Sequence, residues 1–214
     1  LNQIPADLEL DPAMTLTMPH LKISTRCKRS AAKPLLASLF GAWFATLTFS
    51  VLGDSEGASE RTLTRVSPHA QTVTTVADQL WKWAELGYLE TQSSVLWQRT
   101  LAESGFEIKP GIGGIPTAFT ATFGSGAPVI GIMGEFDALP GISQAAVPHA
   151  EVIDGKASGH ACGHNLFGAG SLGAALAVKD WIEASGQAGT VRFYGTPAEE
   201  GGSGKVYLVR AGAF

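Results

Sequence analysis

The chain has 214 residues, 45% of them hydrophobic and 16% charged, with 26 glycines and a formal net charge of −4. That composition supports one sizeable core or somewhat more, in a globular α/β protein with many tight turns. It excludes a disordered chain, and nothing in it is basic enough for a nucleic-acid partner.

The amino end stands apart. Lys22, Arg26, Lys28, Arg29 and Lys33 form a positive cluster, and residues 34–53 are then uncharged and mostly apolar. A basic stretch leading into an apolar one predicts a leader and secretory signal over residues 1–53, cut after Gly53. With about 19 apolar residues, an uncleaved membrane anchor is the alternative. Leu1 is not a normal initiator, so Met14 and Met18 are alternative starts. Removing residues 1–53 leaves 10 Lys and Arg against 16 Asp and Glu. The mature protein is then expected in the periplasm, with no attraction to anionic membranes unless the segment stays uncleaved. Cys27 lies in the signal, so Cys162 has no intramolecular partner, and a metal would protect such a lone thiol in an oxidising compartment.

Residues 54–66 are polar and are expected to form a flexible leader. Ser67-Pro68 reads as an N-cap with proline at the first helical position, and Val73, Val76, Ala77, Leu80 and Ala84 repeat at helical spacing. A first helix of about 17 residues should therefore end at Gly87. A second helix is predicted over 91–104, closed by Gly105. Trp81, Trp83 and Trp97 read as packing residues, and His69 and His149 as surface ones.

Short β-like runs at 106–109, 117–123 and 128–133, separated by glycine-rich turns, predict strands joined by hairpins. The uniformly apolar run 129–133 predicts a central strand buried on both faces. A loop over 141–156 follows, then a helix over 166–183 packed through its Gly and Ala positions, a strand over 189–194 and a further helix from Lys205. The glycines match no phosphate-binding loop, and the serines no nucleophile elbow.

Potential chemistry is concentrated in three stretches. Gly-Glu-Phe-Asp-Ala-Leu-Pro-Gly at 134–141 puts Glu135 and Asp137 at the carboxyl end of a strand, where open α/β sheets build their sites. Ser-Gly-His-Ala-Cys-Gly-His-Asn at 158–165 lets Cys162 and His164 converge on one centre, and thiolate with imidazole favours zinc or another late divalent ion. His160 in the same turn reads as bonded to backbone. Glu199 and Glu200 follow the strand at 189–194; adjacent carboxylates there suit metal-assisted hydrolysis, one binding the ion and the other taking a proton from water.

In this order and spacing, the three motifs, the last being Gly-Thr-Val-Arg-Phe-Tyr-Gly-Thr-Pro-Ala-Glu-Glu at 189–200, resemble the dinuclear metallohydrolases. That family includes aminoacylases, carboxypeptidases and plant auxin-conjugate hydrolases, and the wording is most similar to its aminobenzoyl-glutamate hydrolase branch. The resemblance covers residues 68–214 and implies a three-layer α/β/α sandwich around a mixed sheet, truncated at the C-terminus. It implies a metal-dependent amidohydrolase or peptidase that cleaves the amide of an N-acyl or N-aroyl amino acid or a dipeptide. Two divalent ions are implied, zinc or manganese foremost and cobalt or nickel also compatible, together with a small-molecule amide substrate and a homodimer.

By the same resemblance, Cys162 and His164 match the first pair of metal ligands and Glu200 a further one. Glu199 matches the general base, and Asp137 the carboxylate that orients a ligand, with Glu135 in its neighbourhood. Two histidine ligands, a lid and a dimerisation domain are implied downstream of Phe214. Residues 67–214 are therefore expected to be an incomplete catalytic domain, a weak metal binder with little turnover alone. Two other readings stay open: a non-catalytic protein in which Cys162, His164 and Glu200 form a closed structural zinc site, and a degenerate gene product.

Overall fold

The computed structural model describes residues 55–214; the expected signal or anchor over residues 1–53 lies outside them. Helix α1 (Ser55–Val66) runs into a 3-10 turn (Ser67–His69) and then α2 (Ala70–Trp83), followed by α3 (Thr91–Glu103). Strands β1 (Glu107–Pro110), β2 (Phe119–Ser125) and β3 (Val129–Gly134) come next, then the short β4 (Leu139–Pro140) and β5 (Ser158–Gly159). Helix α4 (His164–Ser185), β6 (Gly189–Gly195) and α5 (Gly204–Arg210) complete the chain.

The main sheet has the order β1-β2-β6-β3, with β3 parallel to β6 and the other pairs antiparallel. The mixed α/β fold is therefore as expected. Its principal core lies between the sheet and α2, α3 and α4. Trp97, fully buried, sits at its centre with Phe136 at 4.7 Å and Phe193 at 5.5 Å between ring centroids. Val76, Ala77 and Leu80 of α2 and Ala169, Leu172, Ala175 and Leu176 of α4 close over them. On the opposite face, Leu208 of α5 packs with Ile112, Ile115, Ala118 and Tyr194, which makes the third layer.

The helix at 164–185 packs through small residues, as its sequence predicts. A methyl at Gly173 would press on Val73 of α2, and one at Gly168 would meet the Trp97 ring and the Glu135 carbonyl oxygen. Gly168→Ala is therefore expected to destabilise the protein by about 1–3 kcal/mol, the usual range for overpacking, read as a lowered midpoint in urea.

Six expectations are corrected. Of the polar segment 54–66, the described part is not a flexible leader: Ser55–Val66 is helix α1, which packs on α4, with Thr64 and Ser67 hydroxyls returned to the carbonyls of Glu60 and Leu63. Ser67 consequently makes no N-cap, and Pro68, lacking an N–H, marks the 3-10 kink between α1 and α2. The first long helix ends not at Gly87 but at Ala84, which takes the left-handed conformation. Strands β2 and β3 do not form a hairpin, because β6 is inserted between them.

Strand β3 is also not central. It lies at the sheet edge, with Val129, Ile130 and Met133 exposed, and among the described residues nothing pairs with its outer side. His69, expected at the surface, is instead half-buried and bonded through Nε2 to Asp180 of α4 at 2.7 Å. His149 is exposed, as expected.

Candidate metal centre

Parallel pairing brings the carboxyl ends of β3 and β6 side by side, and Thr196 continues the register through its N–H to the Gly134 carbonyl at 2.9 Å. The stretches after these two strands, 135–138 and 196–203, therefore leave the sheet at one point. The third stretch arrives because β4 pairs with β5, which draws residues 158–164 against 137–140 and starts α4 there. The Ala138 N–H also bonds the Glu85 carbonyl, and the Ser158 hydroxyl the Ala84 carbonyl, so the end of α2 anchors both strands.

His164, the first residue of α4, is the hub of the arrangement and is only 4% exposed. Its Nδ1 lies 3.0 Å from Asp137 Oδ1 and 3.1 Å from the Asp137 carbonyl oxygen. Its Nε2 lies 2.9 Å from Glu135 Oε2 and 3.8 Å from Glu199 Oε2. Glu200 Oε1 is 3.7 Å from Nδ1. Asp137, 1% exposed, uses its second oxygen to accept the Glu200 N–H at 2.8 Å, and Lys205 of α5 pairs with Glu135.

The charges respond to one another. Burial opposes ionisation of His164, but the Asp137 hydrogen bond and the surrounding carboxylates outweigh it and raise its pKa. Burial likewise pushes Asp137 up, yet His164 and the Glu200 N–H bring its pKa below the ordinary value. Cys162 is exposed, but partial desolvation and then the Glu200, Glu199 and Glu135 carboxylates raise its thiol pKa. His160 is bonded through Nε2 to the Leu80 carbonyl at 3.1 Å, the backbone role its sequence predicts, and burial lowers its pKa to about 4.

Ligand-type atoms of Cys162, His164 and Glu200 all lie within 4.8 Å of one another, as do those of Glu135, His164 and Glu199. Glu200 Oε1 is buried and has no hydrogen-bond partner. A buried carboxylate oxygen left unpaired is costly, and a cation would satisfy it, so a sulfur, nitrogen and oxygen donor set of this kind fits a late divalent ion. All the residues singled out from the sequence, Glu135, Asp137, Cys162, His164, Glu199 and Glu200, thus come together.

Residues 131–214 match the model of peptidase family M20/M25/M40. Over 146 residues, 67% of this chain and 30% of the relative, the chain is 49% identical to a p-aminobenzoyl-glutamate hydrolase subunit of Escherichia coli. The chain belongs to the M20 family. The M20 chain is also 36% identical over 132 residues to an IAA-amino acid hydrolase, ILR1-like 5, of Arabidopsis thaliana, covering 60% of this chain and 28% of that one. Among solved structures it is similar to the YXEP protein of Bacillus subtilis, a dinuclear metal binding peptidase from the M20 family. That match has a TM-score of 0.57 and 30% identity, and covers 67% of this chain and 39% of the other. The chain spans about a third of the length of the curated M20 relatives it matches.

Sequence reasoning missed four contributors to the site. Lys205 neutralises Glu135, Tyr88 bonds the Gly202 carbonyl, and Glu85 caps α3 by accepting the Gln92 and Ser93 N–H groups. The fourth, Glu90, is fully buried and accepts the Ala198 N–H, 108 residues away. Local sequence signals only one of these, since an acid shortly before a polar helix start suits the capping role of Glu85.

Proposed function

We propose that the complete protein is a metal-dependent amidohydrolase acting on the amide of an N-acyl or N-aroyl amino acid, aminobenzoyl-glutamate-like, or of a dipeptide. The observation that carries this reading is the division of labour between neighbouring acids. Glu200 is drawn inward, its N–H held by Asp137 and its buried Oε1 unpartnered, while the Glu199 side chain beside it is 44% exposed. A closed structural site has no use for the second acid. The 49% identity to a p-aminobenzoyl-glutamate hydrolase component supports the choice of substrate class.

In this reading Cys162, His164 and Glu200 hold an ion, and a second divalent ion shares the site; zinc and manganese suit the donors best, cobalt and nickel also. Bound divalent ions supply a Lewis acid that polarises the scissile carbonyl and acidifies water. Asp137 fixes the His164 ring through Nδ1, leaving Nε2 toward Glu135 and Glu199. Glu199 takes the proton of the attacking water and delivers it to the departing amine. The reading further takes residues 1–53 as an export signal or anchor, the mature protein as periplasmic and its assembly as a homodimer. The basic cluster before an uncharged apolar run supports the export part.

The test is hydrolysis of p-aminobenzoyl-glutamate and a panel of N-acyl amino acids by the complete protein, before and after dialysis against a chelator. Turnover that chelation abolishes and zinc or manganese restores is expected. Unchanged turnover in protein shown to be metal-free would sink the reading.

A further inference from the structure

We propose that Glu90 is a positioning residue for Glu199: its buried carboxylate holds the Ala198 N–H and so sets the direction in which Glu199 leaves the turn. The inference rests on the role of Glu199 as base given above. Glu90 is fully buried at the start of α3, where a carboxylate is costly unless its hydrogen bonds matter. Its Oε1 accepts the Ala198 N–H at 2.8 Å and its Oε2 accepts the Thr117 hydroxyl at 2.9 Å. Thr117 is held in turn, its carbonyl accepting the Ser94 hydroxyl at 2.8 Å.

Capping of α3 does not account for Glu90. Its side chain makes no cap hydrogen bond: the Thr91 N–H goes to the Leu89 carbonyl, and the Gln92 and Ser93 N–H groups go to Glu85. What it holds is a residue in need of holding. Ala198 has φ of +57°, a left-handed conformation that a residue with a Cβ adopts at a cost. The same connector supports the turn on either side of that bond. Gly87 packs closely on Ala198, where a Cβ would lie a tight 3.0–3.1 Å from the Ala198 Cα and Cβ, and the Tyr88 hydroxyl bonds the Gly202 carbonyl.

Two clamps therefore flank Glu199. Glu90 grips the residue before it, and Asp137 grips the N–H of the residue after it. Removing the Glu90 side chain takes away the acceptor of the Ala198 N–H, which releases the first clamp and leaves the second in place. Glu200 then stays where it is, and Glu199 loses its aim.

The experiment compares Glu90→Ala, Glu90→Gln and Glu199→Gln in the complete protein by kcat, KM, metal content and hydrogen exchange across residues 196–203. Glu90→Ala is expected to lower kcat about 100-fold, the usual scale for misplacing a reacting group by an ångström, with KM and metal content near those of the parent. The Ala198 amide should exchange faster and the Glu200 amide should not. Glu90→Gln, which keeps an oxygen for the Ala198 N–H, should recover most of the rate. If Glu90→Ala folds and either keeps its kcat or loses metal in step with kcat, the positioning role is overturned. If it does not fold, Thr117→Val decides: faster Ala198 exchange with a smaller fall in kcat supports the clamp, and unchanged exchange overturns it. Full activity in Glu199→Gln instead removes the base assignment, while exchange at Ala198 still reports the clamp.

Discussion

Glu199→Gln in the complete protein is expected to lower kcat by about 10²–10⁴-fold, the range for removing a positioned general base. The substitution keeps the shape of the side chain and removes its capacity to take a proton from water. It alters only the 3.8 Å approach of Glu199 to His164 Nε2 and leaves the groups proposed to hold the ion in place: Cys162, His164 and Glu200 retain their mutual spacing, and Asp137 still grips the Glu200 N–H. Metal content by elemental analysis should therefore match the parent, and KM should change little, since the interaction is made in the transition state. Glu200→Gln should behave in the opposite way and lose metal along with rate. A Glu199→Gln enzyme that turns over near normally would move the base elsewhere in the site.

The second large effect is expected at His164. The ring lies buried between Asp137 and Glu135, and among the described residues no other imidazole joins either cluster to replace it. His164→Ala should weaken metal binding by more than about 100-fold, beyond the range seen when only a supporting group is removed. It should also destabilise the metal-free protein, because Asp137 is left buried with one oxygen unanswered. Breaking a buried ion pair at one partner costs about 3–5 kcal/mol. Asp137→Asn is the graded control: it retains a partner for Nδ1 but not the charge, so metal affinity should fall about 10–100-fold and no further. Calorimetric titration with zinc and denaturant melts of the metal-free variants check both parts. Equal affinity in His164→Ala and the parent would exclude His164 as a ligand.

How much of this could be read in advance depended on how local each interaction is. The turn at 158–165, the acids at 135 and 137 and the pair at 199 and 200 carry their chemistry in short motifs, and all of them meet in the structure. Helices α3 and α4 and strand β6 likewise follow from periodicity and glycine punctuation. The position of β3 does not, because a uniformly apolar run records an affinity for burial without recording what supplies it. The insertion of β6 beside β2 is a pairing between segments some seventy residues apart, for which a hairpin rule is the wrong guide. Helix α1 lacks an apolar stripe of the expected kind and is stabilised by docking on α4, an event its own composition does not announce. Glu90 is the extreme case: beside Thr91 it looks like a solvated acid at a helix start, and only the return of the chain at Thr117 and again at Ala198 gives it partners.

The edge position of β3 bears on how this stretch of protein can be handled. A parallel strand whose outer row of amides and carbonyls is unpaired among the described residues, and which carries exposed Val129, Ile130 and Met133, is a template for any extended segment that meets it. Native edges are commonly blunted by lysine, proline or a bulge, and within β3 itself there is no charged residue and no proline. In concentrated solutions of residues 55–214 this strip would act as an adhesive, zipping molecules together edge to edge. A single lysine on its solvent side would be the mildest remedy, since it deters a second strand without entering the core around Trp97.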